Sequence, residues 1–319
     1  MRRTASPLSL ILLGVGVFLL VLAPMLAWYV EPRAKRTPVD VDQVTVFKGK
    51  GAYFDTEKVK TVPQANLTVT RQVRGDVADS TKEHAVWDVS TSVDPDKSLP
   101  AADPHDSLQW TMERWVTDRA TNRPVHCCDE EPYFEGEAYL KFPFDVEKRS
   151  YRWWDNTLGA TVPLKFSGMK KIQGYEGLRF TATVKATKTG TRQVPGRLVD
   201  AEADQVLAEE WYANHGIELV ADQRTGRIIY AQIGPRKTLR KPGGDEDAVV
   251  LLDSKKIAFT EKTQKAQVAL ADDDSGRLKL VGETLPVGTA GLGLVLAAVG
   301  AFLVVRGRER PVPQQPESD

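Results

Sequence analysis

Residues 285–305 read LPVGTAGLGLVLAAVGAFLVV, twenty-one positions with no charged side chain. At 1.5 Å per residue this run makes a helix of roughly 31 Å, about the thickness of a bilayer's hydrocarbon core. A buried helix of a soluble domain keeps a polar stripe at helical spacing, and none is present. Arg306, Arg308 and Arg310 follow at once, and a proline-rich tail ends the chain. The stretch reads as a membrane span, so the rest of the chain has to be read around it.

A second apolar run covers residues 8–30 and is likewise uncharged. The alternative to an anchor is a cleaved signal peptide, for which Arg2 and Arg3 would form the basic start. The run exceeds the roughly 7–15 residues of a signal core. Pro24 directly follows Ala23 where a peptidase would cut, and Met25-Leu26-Ala27 lacks the small residue two places before a cut. An uncleaved anchor is expected. Two spans place both ends of the chain on one side. The arginines after residue 305 abut the membrane, whereas Arg277 and Lys279 stand off beside Asp272, Asp273 and Asp274. By the positive-inside rule both termini are assigned to the cytoplasm and the middle of the chain to the outside.

These readings divide the chain into a cytoplasmic start (1–7), a first span (8–30), an extracytoplasmic domain (31–284), a second span (285–305) and a cytoplasmic tail (306–319). The whole chain has 319 residues with 43 basic and 43 acidic side chains, so no net charge points to nucleic acid. Within the spans, Thr289, Gly293, Ala297 and Ala301 recur every fourth residue, and Gly14 and Gly16 give the first span a thin face. Small residues allow the close backbone approach that drives helix association in lipid, so these faces are expected to pack.

Between the spans, apolar and polar residues alternate in short runs bounded by Gly, Pro and Asp, which predicts a mainly β (α+β) domain. The runs are 67–73, 85–91, 108–112, 138–142, 178–184, 217–221 and 227–233. Residues 207–214 fit either a short helix or a strand. Residues 261–270 fit a helix capped by Thr260, leading through an acidic loop at 272–274 into the second span. Glu218–Ala221 and Ile228–Ala231 flank Asp222-Gln223-Arg224-Thr225-Gly226, a hairpin whose Gly226 can supply a positive φ. Residues 116–125 repeat that pattern, with Asn122 where the other turn has Gly226. Two readings stay open for this repeat: unrelated hairpin turns, or a duplicated half-domain.

Candidate chemistry is sparse. His84, His105, His126 and His215 show no zinc-site spacing, and no nucleophile-elbow or phosphate-loop string occurs, so no catalytic residue, metal site or cofactor is assigned. Cys127 and Cys128 are the only cysteines and are adjacent. In an oxidising compartment disulfide chemistry is expected, as a vicinal ring or a bridge between chains, with a reduced buried pair as the alternative; a metal reading needs ligands from elsewhere in the chain, since adjacent thiols alone rarely complete a tetrahedral site. Asp272, Asp274 and Glu283 mimic part of a calcium loop, but Arg277 stands where the turn needs glycine.

The densest unusual stretch is 139–155, with Phe142, Phe144, Tyr151, Trp153 and Trp154. Such aromatics build a core or line a groove. Their number exceeds what one sheet face can bury, so some are expected in a second layer or around an apolar ligand.

The Lys141-Phe142-Pro143-Phe144-Asp145 stretch with Glu147-Lys148, Tyr151 and Trp154-Asp155 resembles a family of actinobacterial envelope proteins, as do Trp115–Arg119 and the terminal runs. That family is filed as one of unknown function and is sometimes labelled "porin PorA family". The resemblance implies a bacterial cell-membrane protein and supplies no catalytic or ligand residues. The leading functional expectation is therefore a membrane-anchored binding module for a lipid or other apolar envelope ligand. A scaffold that recruits partners and an envelope lipid or glycan hydrolase are the alternatives. The partners expected are the bilayer, an apolar or lipid ligand and a second copy of the chain, without nucleic acid.

Overall fold

A computed structural model describes residues 6–95 and 107–308. The chain forms two compact units: one is Arg36–Asp274, the other gathers the chain up to Lys35 and from Ser275 onward.

In the terminal unit, α1 (Pro7–Met25) continues through a wider helical turn at Leu26–Val30 into α2 (Glu31–Ala34). At the other end α3 (Glu261–Lys279), whose residues up to Asp274 belong to the Arg36–Asp274 unit, runs through a similar turn at Leu280–Thr284 into α4 (Leu285–Arg308). Both helical stretches are long and apolar enough to cross a membrane. The acidic loop expected at 272–274 is absent, and those residues are helical instead. Nothing there breaks a helix, and Thr260 caps its start by accepting from the Thr263 amide at 3.2 Å. The two apolar helices pack at their small residues. A Cβ on Gly16 would overlap the backbone of Ala297 and approach the Gly293 carbonyl at 2.8 Å; one on Gly300 would overlap the backbone of Leu13. Gly14 meets no neighbour and Ala301 is exposed, so these two lie off the contact face, while Thr289 is half-buried and bonds its own helix.

The other unit is built on one antiparallel sheet of eleven strands among the described residues. They are β1 (Asp42–Asp55), β2 (Lys60–Asp76), β3 (His84–Pro95), β4 (Gln109–Asp118), β5 (Tyr151–Asp155), β6 (Ala160–Ile172), β7 (Tyr175–Pro195), β8 (Gln205–Ala221), β9 (Ile228–Ile233), β10 (Pro235–Arg240) and β11 (Val249–Phe259). Their order is β4-β3-β2-β1-β11-β10-β8-β7-β6-β5, and β9 pairs with β8 and β11 beside β10. β9 and β10 thus act as one strand broken at Gly234. Residues 207–214 belong to β8, so the strand reading holds there. Residues 138–142 form no strand, apart from one bridge at Ala138.

The two end strands do not stay open. Residues 124–138 bridge to β4 at Thr117–Pro124 and Arg114–Glu131, and to β5 at Ala138–Trp153. The Glu137 amide donates to the Arg152 carbonyl at 2.8 Å and the Trp154 amide to the Ala138 carbonyl at 3.1 Å. This segment is a seam that occupies hydrogen-bonding groups an edge strand would otherwise expose. The sheet therefore curls so that residues far apart in the strand order face each other across its interior.

The expected turns recur with one chemistry. Asp222 accepts from the Thr225 amide and hydroxyl, and the Gly226 amide (φ +73°) returns to the Asp222 carbonyl. Asp118 does the same for Thr121 and Asn122 (φ +59°). Both turns hold the segment that carries the family-like stretch. The Asn122 side chain donates to the Lys141 carbonyl at 2.8 Å, and the Phe142 amide donates to the Gly226 carbonyl at 2.8 Å.

Candidate functional site: an interior polar layer and the seam

Strand alternation and curling sort the inward side chains into two layers. One is aromatic. Phe142 and Tyr151 are fully buried, and Phe142 packs on Phe180 with ring centroids 4.7 Å apart and on Tyr151 at 5.2 Å. Trp153 is buried beside Phe142 and Tyr139. Trp154, its neighbour on the opposite face of β5, is buried as well. Phe144 is half-buried with the Lys141 ammonium 3.8 Å over its ring. The five aromatics singled out by composition thus pack mainly against protein. Of residues 142–146, Phe142 and Val146 are buried inside the curl, Pro143 and Phe144 are half-buried, and Asp145 is exposed.

The other layer is polar. Glu113 is buried and accepts from the Trp115 indole at 2.7 Å, from the Tyr139 hydroxyl at 2.9 Å and from the Asn156 amide. Arg71 donates to Thr91 at 3.2 Å and sits over the Tyr139 ring. Tyr212 donates to Asp155 at 2.8 Å, and Lys237 donates to Gln109 at 3.0 Å across the interior from β10 to β4. Burial raises the Asp155 carboxyl above the usual range and lowers the Lys237 ammonium below its own. Arg71, Gln109, Asn156 and Lys237 are only half-buried, so this layer, unlike the aromatic one, keeps donors and charges within reach of solvent. No single-strand pattern announces it: its members come from β2, β3, β4, β5, β8, β10, the turn after β5 and the segment at Tyr139, and only closure brings them together.

The seam carries a second group. Arg114 donates to Asp76 and Asp88, both at 2.9 Å, also pairs with Asp79, and donates to the Cys128 carbonyl at 2.9 Å. The bond from Arg114 holds the Asp76 carboxyl below the ordinary range. Cys127 and Cys128 are joined as a vicinal disulfide, and the Nε2 of His84 lies 4.0 and 3.7 Å from their sulfurs. Sequence reading missed His84 because 44 residues separate it from Cys128. His126 stacks on Tyr133 and meets Glu130 at 2.6 Å, beside a cleft of about 560 Å³ lined by Arg123, Tyr133, Glu137 and Arg152 among others. His215 instead pairs with Asp253 at 3.0 Å, and His105 lies outside the described residues.

No curated protein matches the chain. The family profile described as Porin PorA matches residues 8–302, which takes in the whole sheet and most of both apolar helices. The chain belongs to the Porin PorA family.

Proposed function

We propose that this envelope protein is a two-span binding module whose sheet unit stands outside the cell membrane and takes up a lipid with a polar head. The observation that carries the reading is the division of the curled sheet's interior into a sealed aromatic layer and a half-open polar one. Arg71, Lys237, Gln109 and Asn156 offer donors of the kind that fix a head group, and an apolar wall lies behind them. A unit tethered at both ends meets its ligand at or near the bilayer. Transport through the strands themselves fits less well, because a membrane barrel turns an apolar band outward. Here Lys48, Lys50, Lys185, Lys188 and Arg192 occupy exposed strand positions, and large exposed apolar side chains concentrate on α1 and α4.

The test is mass spectrometry of lipid that co-purifies with the full chain in mild detergent, for wild type, Arg71→Gln and Lys237→Met. A defined lipid present with wild type and depleted in both variants, at unchanged melting temperature, is expected. Lipid content that ignores both substitutions, or no lipid at all, would favour a scaffold.

A further inference from the structure

The seam loop from Val125 to Glu131 has a build that closing an edge does not require. It is pinned to β4 at both ends: the Val125 amide donates to the Val116 carbonyl at 3.0 Å, and Arg114 and Glu131 exchange backbone bonds of 2.7 and 2.9 Å. Between the pins, Cys128 and Asp129 hold positive φ values of +59° and +58°, a conformation that Asp tolerates and that a residue such as Cys rarely adopts. Arg114, itself anchored by Asp76 and Asp88, grips the Cys128 carbonyl. Both sulfurs thereby face one side chain from another strand, His84 at the start of β3. The Nδ1 of that imidazole lies 3.1 Å from the Thr81 hydroxyl, which orients Nε2 toward the sulfurs. The two sulfurs and Nε2 all lie within 4.8 Å of one another, and all three residues are half-buried.

Two sulfurs and one imidazole, with no carboxylate in the group, form a soft donor set. Thiolates with a single nitrogen suit a thiophilic d10 ion, and three donors suit the low coordination numbers of Cu(I). We propose that Cys127, Cys128 and His84 form a redox-gated site for one Cu(I) ion, closed in the disulfide form and open in the dithiol form. Opening is a two-electron step. An external dithiol gives two electrons and two protons to the S–S bond and becomes a disulfide itself, leaving two thiols on the seam. Cu(I) then displaces the thiol protons to solvent and is held by two thiolates and by Nε2 of neutral His84, with Thr81 as the second-shell partner of the ring.

The experiment uses the full chain in detergent under anaerobic conditions, with Cu(I) delivered in competition with a chromophoric chelator. Oxidised protein is expected to take up no Cu(I). Protein reduced by a phosphine is expected to take up one ion per chain, with an X-ray absorption spectrum of two sulfurs and one nitrogen. Thr81→Ala should weaken binding by about 10–100-fold, the range for outer-shell partners, and His84→Ala by more, with two titratable thiols retained in each. A Cys127→Ser/Cys128→Ser chain should bind none while keeping its melting temperature within a few degrees. Because His84→Ala leaves the loop and its thiols in place, the proposal stands or falls even if the double variant does not fold. Uptake equal in oxidised and reduced protein would overturn it. So would Cu(I) affinity unchanged in His84→Ala, or a pair that the reductant reaches only after unfolding.

Discussion

Lys141 shows how one residue can link a motif to the fold. Its backbone is gripped by Asn122, its ammonium reaches the Thr37 hydroxyl at 3.2 Å, and it lies over the Phe144 ring. Burial, with help from the nearby Arg227 charge, pushes its pKa down to about 7, against the opposing pull of Asp274 and Asp222. An unfolded lysine titrates near 10.4. Between about pH 7 and pH 10 the unfolded chain holds a proton that the folded chain has released, so stability rises with pH across that window. Below about pH 7 both forms hold it and the folded state bears the full cost of the buried charge. Lys141→Met is expected to flatten this dependence and to be the more stable chain near pH 6. Thermal melts of both proteins at about pH 6 and about pH 9 check it; parallel slopes would mean that the ammonium stays solvated.

At the scale of elements, the two Asp-led turns are alike in hydrogen bonding but not in tolerance. A Cβ on Gly226 would overlap the carbonyls of Phe142 and Pro143, and its φ is +73°. Gly226→Ala should therefore cost well over the about 1 kcal/mol typical of a glycine-to-alanine conflict. At the matching position Asn122→Gly relieves φ strain while losing one bond to the Lys141 carbonyl, so a change within about 1 kcal/mol is expected. Denaturant titration of both variants decides; a mild Gly226→Ala would show that residues 141–143 can move away.

The helices make a similar contrast. Gly16→Ile drives a side chain into the Ala297 backbone and should abolish a disulfide crosslink engineered between positions 13 and 300. Gly14→Ile, which meets nothing, should leave that crosslink intact. Equal crosslinking in the two variants would argue against the Gly16–Gly293 contact.

For the whole molecule, the proposed topology has a direct consequence. With both termini inside, a tag placed after Asp319 should resist protease added to intact cells, while the sheet unit is cut. A tag that is digested from outside reverses the assignment. The curl of the sheet matters at this scale too. Lys237 and Gln109 meet only because the seam brings β4 and β5 together, so the interior polar layer belongs to the closed sheet as a whole.

The chain's own residues were enough to mark the two apolar helices, the β character of the middle, the Thr260 cap and the Asp222–Gly226 turn. Each of these depends on interactions within a few residues: hydropathy over a span, alternation along a strand, a side-chain oxygen reaching a nearby amide. Tertiary structure decided what depends on distant partners. Leu285–Val305 shows small residues at every fourth position, yet only packing against α1 separates Gly293 and Gly300 from Ala301, because a helix surface does not say which face meets its neighbour. Residues 138–142 alternate like a strand, but past the single bridge from Ala138 to β5 the backbone at Lys141 and Phe142 is held by the turns at 118–122 and 222–226 in place of a flanking strand. His84 reaches Cys128 only through the register of β3 on β4 and the seam pinned to β4. Local sequence carries the energy of local bonds; which remote surfaces meet is set by closure of the whole sheet, where every strand's register contributes.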